Sequence, residues 1–311
     1  MKESFNDLYT RLYRENFEEL EALREKQKKS SIKIGIFIAL ALICWVFIPF
    51  ITIPLVIIAI IVASKINTKR INENKVIVTK RDLSYTEVFK AKVVKPIIEN
   101  MFENAQYNPN QGLSSHEYIM GGYKERYDRY SSEDLVLASF NAEERDNIVI
   151  KFSEVHTERE SKDKDGHTQY STVFRGLAGN FILSKDIQTK MYIRSNGRGS
   201  WFGKNNRVKM DMPEFEKLFD VESEDDIMAM RILTADIMAE MIELYQKYKY
   251  TFEISIINDT VHMRLRTGGV FEPNVFKSSM EYKTVERYYT VLNALINIAK
   301  HIHDTIAKIE V

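Results

Sequence analysis

IGIFIALALICWVFIPFITIPLVIIAIIVAS, residues 34–64, runs for 31 residues without a charged side chain and is interrupted only by Pro49 and Pro54. A hydrocarbon core about 30 Å thick takes roughly 20 apolar helical residues at about 1.5 Å each, and a soluble helix has no reason to expose so long an apolar run. The stretch therefore predicts membrane insertion. It is roughly twice the length of a secretory signal core and follows a charged, helix-patterned segment, so it reads as retained in the mature protein.

One straight helix over the run would be roughly 46 Å long, whereas two legs, 34–48 and 50–64, would be about 22 Å each, and neither length matches the bilayer. The flanks favour two legs. Lys26, Lys28, Lys29 and Lys33 precede the run and Lys65, Lys69, Arg70 and Lys75 follow it. A single span would put one cationic cluster outside, and a hairpin keeps both inside. The prolines of the 47–54 segment suit the turn, since each lacks an N–H and disfavours helix in the residue before it. The expectation is a multi-pass protein of the cell membrane with both termini cytoplasmic.

The expected fold class is α+β: an N-terminal two-helix transmembrane hairpin with amphipathic flanking helices, then a cytosolic domain of antiparallel sheet plus helices. The expected divisions are a cytosolic amphipathic helix over 1–33, the hairpin over 34–64, a basic juxtamembrane and helical stalk over 65–107, and the α+β domain over 108–311. Ser4 with Asp7 and Ser84 with Glu87 have capping-box spacing, each opening a helical stripe, and Pro96 predicts a kink in the second helix. The two helices either pair as a stalk or pack separately.

Beyond the turn-rich 108–112 segment, alternation over 147–155 predicts a strand, and Asp165-Gly166 a hairpin turn into a further strand over 168–183. Strands are also expected over 190–194, 208–212, 252–257 and 261–266. Helices are expected from Ser223 with Asp226, restarting at Thr234, and along a final stripe from Val285 to Ile306.

The formal net charge is zero. That figure hides an asymmetry, because residues 65–81 carry a local +5 and residues 105–311 a net −5. An acidic domain gains little from counterion release, so nucleic acid is not expected as its ligand. The basic stem suits an anionic leaflet, at about 1 kcal/mol per Lys or Arg, or is ordinary positive-inside patterning. The single cysteine, Cys44, excludes an intrachain disulfide and a thiol metal cluster.

No constellation of recognised chemistry emerges, and neither catalytic residues, a cofactor nor a metal is expected. His301 and His303 are two apart on a helix and point to different faces. Asp163-x-Asp165-Gly166 lacks the further ligands of a calcium loop and reads as a solvated hairpin tip. The glycine-rich loop 196–205 fails phosphate-loop spacing, but Arg198, Lys204 and Arg207, with Lys65, Lys69, Arg70 and Lys75, are candidate contacts to an anionic surface. Ser153 faces away from Glu154 and His156 on a strand, so the three cannot act as a unit. An enzyme would need a pocket gathering distant residues such as Glu154, His156 and Arg175.

Several ordered stretches together resemble a bacterial membrane-protein family known only as domain of unknown function three-one-three-seven. They are Tyr127-Asp128-Arg129-Tyr130 before Ser132-Glu133-Asp134; residues 150–156; Val173-Phe174-Arg175-Gly176-Leu177 with Asn180-Phe181; and Phe219-Asp220-Val221 with Asp225-Asp226, Ala229, Arg231 and Leu233-Thr234. The resemblance implies two transmembrane helices and a cytoplasmic domain, and supplies no function. The Ala178-Gly179 pair departs from the bulkier pattern of the family. The functional expectation is a non-catalytic interaction or scaffolding protein with a protein partner, for which the family suggests a LemA-type membrane protein. The alternatives are an anionic-lipid or small-ligand binding module, and a membrane-bound enzyme.

Overall fold

In a computed structural model of the chain, the residues described are 3–47, 84–102, 104–141, 147–195 and 206–309. They divide into two compact units, one drawn from Met1–Thr10, Val93–Glu272 and Tyr282–Val311, the other from Arg11–Lys92 and Pro273–Glu281.

The larger unit is built on one antiparallel nine-stranded sheet of order β1-β2-β3-β4-β9-β8-β5-β7-β6. Its strands are β1 (Gln106–Asn108), β2 (Arg129–Asn141), β3 (Asn147–Lys162), β4 (Thr168–Ile182), β5 (Lys190–Ser195), β6 (Arg207–Val208), β7 (Phe219–Ser223), β8 (Phe252–Ile257) and β9 (Thr260–Leu265). Alternation along β3 works as expected at its start: Ile148, Ile150 and Phe152 are buried, while Val149 is exposed. Hairpins close β3 on β4 and β8 on β9, the second through Asn258, whose φ of 57° belongs to the left-handed region that Asn tolerates.

Eight helices appear among the described residues: α1 (Phe5–Phe47), α2 (Tyr85–Phe89), α3 (Lys95–Met101), α4 (Ser115–Met120), α5 (Pro213–Glu216), α6 (Asp226–Ile232), α7 (Ala235–Tyr248) and α8 (Tyr282–Lys308). The α8 stripe of Val285, Tyr288, Leu292, Leu295, Ala299, Ile302 and Ile306 is buried, as its spacing requires. It packs with α6 and α7. The capping box at Ser84 is present, with Ser84 Oγ accepting from the Glu87 amide and the Glu87 carboxylate from the Ser84 amide, whereas Ser4 accepts from the Asp7 amide and donates its hydroxyl to the Asp7 carboxylate without closing the box. The expected kink at Pro96 takes the form of a π-turn over Lys90–Val94, after which α3 restarts with the proline in its first turn, where no N–H is needed.

In the smaller unit, Leu12 and Leu20 of α1 and Tyr85, Val88 and Phe89 of α2 are buried. Arg24 pairs with Glu21 and Glu25 and donates to the Val275 carbonyl at 2.8 Å. Its hydrogen bond to Glu21 is the main reason that carboxyl titrates down at about 2.

The transmembrane hairpin is corrected. Residues 5–47 form one continuous helix rather than an amphipathic helix followed by a separate first leg, and among the described residues no helix is long and apolar enough to cross a membrane. The part of α1 from Ile34 to Phe47 rises only about 21 Å, short of a core of about 30 Å, and Lys33 and the charged residues of the 24–29 segment stand ahead of it. The multi-pass membrane localisation with cytoplasmic termini rested on that hairpin and falls with it. The second leg over 50–64, its proline turn and Lys65, Lys69, Arg70 and Lys75 lie outside the described residues. The α+β sheet-plus-helices part of the expectation describes the larger unit.

Three strands, β1, β2 and β7, have no counterpart in the sequence expectation. The start of β2, Ser131-Ser132-Glu133-Asp134, has the composition of a turn. It is held extended by pairing with β3, and the register slips between Glu133 and Val136, where Asp134 adopts a φ of 58°.

Candidate functional site

The registers of β2, β3 and β4 lay out a small grid on one sheet face. His156 stands opposite Ser131 on one side and Arg175 on the other, and two residues along β3, Glu154 stands opposite Glu133 and Leu177. Residues two apart on a strand share a face, so both rows look the same way. Ser131, Glu133, Glu154, His156 and Arg175, together with Ser132 and Val155, line a half-open cleft of about 330 Å³. The three residues whose gathering was the condition for a pocket, Glu154, His156 and Arg175, therefore meet.

Glu154 is buried, and one of its carboxylate oxygens, Oε2, accepts from the amides of Val270 at 3.1 Å and Phe271 at 3.2 Å. The loop bearing those amides reaches the sheet through Gly269. A Cβ there would lie 3.2 Å from both Glu154 Oε1 and Arg175 Nη2, so a glycine lets the backbone approach the carboxylate. Burial pushes the Glu154 carboxyl up to about 7; the two amides oppose the shift, and the neighbouring carboxylates of Asp134 and Glu133 reinforce it.

Around this carboxyl lies more acid. The carboxylates of Glu133, Asp134 and Glu272 come within 4.8 Å of one another, and buried Asp134 accepts a hydrogen bond from the Tyr107 phenol. The cationic side of the cleft is thinner. The exposed Arg175 guanidinium makes no ion pair among the described residues, and His156 Nε2 lies 3.1 Å from Thr172 Oγ1 and 3.9 Å from Glu158.

The opposite face is different in kind. Arg264 is buried and donates to Glu253 at 2.8 Å, to Glu125 at 2.9 Å and to the Tyr118 hydroxyl at 2.7 Å, with the rings of Tyr123 and Phe174 at 4.0 and 5.0 Å. As expected from strand alternation, Ser153 faces this side: its hydroxyl meets Ser132 Oγ at 2.7 Å and accepts from the Leu113 amide.

Of the surface cations, Arg207 is on β6, 3.1 Å from Asp220 and 3.3 Å from Glu216. Arg198 and Lys204 lie outside the described residues, as does the glycine-rich loop. At the β3–β4 turn, Asp163 Oδ1 accepts from the amides of Asp165 and His167, both at 2.9 Å, so its side chain closes the turn. His301 and His303 do diverge: the first lies 3.4 Å from Glu240 with its side chain 42% exposed, while the second is buried. Ser131, Glu133 and the 268–271 loop are the cleft elements that sequence reasoning passed over. Thr267-Gly268-Gly269 was the available signal, since paired glycines mark a close backbone approach.

Residues 172–303 match a family model described as a protein of unknown function, DUF3137. This stretch belongs to that family. The DUF3137 stretch contains Arg175, the 268–271 loop and the Phe219–Thr234 carriers of the resemblance, whereas β2 and all of β3, with Glu133, Glu154 and His156, precede it. No curated protein matches the chain. Among solved structures, the mycobacterial trehalose monomycolate transport factor A, TtfA, aligns over 66% of this chain and 93% of its own at 8% identity, with a TM-score of 0.31.

Proposed function

We propose that the larger unit is a non-catalytic binding module for a small polar ligand bearing an ammonium group, held in the cleft over β2, β3 and β4. The observation that carries this reading is the composition of a built cavity. Two glutamates, Glu133 and Glu154, line it, two more acids stand beside them, and Arg175, which makes no ion pair among the described residues, lines it too. An ammonium gains most where carboxylates crowd one another, because it relieves their repulsion. Arg175 and His156 suit the anionic end of a zwitterion, and the Ser131 hydroxyl serves either end.

The test is thermal denaturation of the full chain with L-lysine and putrescine as amine probes and glutarate as a carboxylate control. The amines are expected to raise Tm at millimolar concentration, glutarate to leave it unchanged, and Glu133→Gln to abolish the amine effect. Failure of both amines to move Tm, or an equal shift in Glu133→Gln, defeats the reading.

A second reading keeps the protein partner expected from the sequence. It is supported by the β3–β4 ribbon from Arg159 to Thr172, which is almost wholly exposed. A crosslinked pulldown that includes a LemA-type candidate tests it; no reproducible partner with the ribbon intact counts against it.

A further inference from the structure

Four carboxyl groups stand in and beside the cleft. Those of Glu133, Asp134 and Glu272 lie within 4.8 Å of one another, and Glu154 is opposite Glu133 across the β2–β3 ladder. Around them, Tyr107 donates to Asp134, His156 lies by Thr172 and Glu158, and Arg175 borders the space over Gly269 with Glu154 Oε1 but does not pair with it. Like charges so crowded resist ionising together, and the group with least support keeps a proton. The hydrogen bonds single out Glu154. It is only 5% exposed and commits Oε2 to the Val270 and Phe271 amides, while Oε1 accepts no hydrogen bond among the described residues. Those amides are held in place from behind, since the Phe271 ring meets the rings of Tyr107 and Tyr288 at 6.5 and 6.3 Å. An oxygen that already accepts two N–H groups is a poor place for a proton, so the neutral carboxyl carries its O–H on Oε1. Burial pushes this carboxyl up to about 7, which keeps the proton available near neutrality.

We propose that the cleft takes up an ammonium group in exchange for the proton on Glu154 Oε1. This exchange rests on the ammonium reading of the cleft given above. In it the Oε1–H bond breaks, the proton passes to solvent, and the bared Oε1 accepts an N–H of the incoming cation, so one positive charge leaves as another enters. Neutral Glu154 offers an ammonium an O–H where it needs an acceptor, and acid therefore weakens binding. Glu133, Asp134 and Glu272 form the fixed part of the site, and Glu154 sets the pH at which it fills.

Equilibrium dialysis of the full chain against labelled putrescine measures binding, and a pH-stat counts the protons released when saturating putrescine is added. Roughly one proton per putrescine is expected at pH 6 and about a tenth of that at pH 8, with binding about tenfold weaker at pH 6. Glu154→Gln keeps an acceptor for the two amides and turns its NH2 to the cleft. It is expected to bind at pH 8 at least as weakly as the parent does at pH 6, and to release no proton at either pH. His156→Asn is expected still to release the proton, which separates the carboxyl from the neighbouring imidazole. Putrescine retained at pH 6 without proton release, release undiminished in Glu154→Gln, or release lost in His156→Asn overturns the exchange and leaves the ammonium reading standing. No putrescine retained at either pH overturns both. Should Glu154→Gln not fold, the parent decides alone, because a proton count that does not fall between pH 6 and pH 8 also overturns the exchange.

Discussion

Two charged side chains are buried on opposite faces of the same sheet, and their surroundings could hardly be less alike. Arg264 meets two carboxylates, a phenol and two aromatic rings, so that although burial works against its charge, Glu253 and Glu125 hold the guanidinium protonated more firmly than usual. Glu154 meets two amides, a cluster of like charges and an open cleft, and its proton affinity rises accordingly. A charge whose needs are met inside the protein serves architecture. One left partly unmet beside a cavity has something to offer a ligand.

The contrast breaks most visibly at Arg264. Arg264→Met would leave Glu253 buried without its partner, and a loss of about 3–5 kcal/mol in urea denaturation is expected. A loss under about 1 kcal/mol would remove the distinction between the two faces.

Glu154→Gln should act in the other direction. The folded carboxyl titrates near 7 against an ordinary 4.5, so between these values the folded state holds a proton that the unfolded state has released. Parent stability therefore falls as pH climbs from 4.5 through 7, and the deficit persists above. Glutamine keeps an acceptor for the Val270 and Phe271 amides without the charge. At pH 8 the variant is expected to be more stable by up to about 3 kcal/mol, with that limb of the pH profile flattened. A variant less stable than its parent at pH 8 would mean that the carboxylate is satisfied after all.

Gly269→Ala sharpens the comparison on a smaller scale. The new methyl crowds the ends of Glu154 and Arg175, both flexible, and a cost of about 1 kcal/mol is expected together with weaker amine binding. The smallest effect belongs to the half-exposed pair of Lys151 with Glu117. Lys151→Ala should change the urea midpoint by no more than about 1 kcal/mol of stability, and a larger loss would show that a surface pair here behaves like the Arg264 network.

How much was legible follows from how local each signal is. The capping serines, the Asp165-Gly166 turn and the α8 stripe are written within a few residues, and the structure uses all of them. β2 was hidden because Ser-Ser-Glu-Asp has turn chemistry, and only its ladder to β3, with a bulge at Asp134, makes it a strand. The cleft was legible only in part. Glu154, His156 and Arg175 could be named as residues needing a pocket, but Glu133 and the Gly269 loop carry no motif that points to it.

By itself the sequence determined the α+β class, the position of most helices and strands, the absence of a disulfide, and an acidic domain behind a basic segment. It also led to a membrane hairpin, because hydropathy counts apolar residues without asking where one helix stops and the next begins. Tertiary structure alone decided that α1 is continuous through Phe47, and that Glu154 rather than Arg264 is the charge left facing a cavity. The physical reason is the same in both cases: composition is local, whereas the fate of a charge depends on what distant strands and loops bring within hydrogen-bond reach.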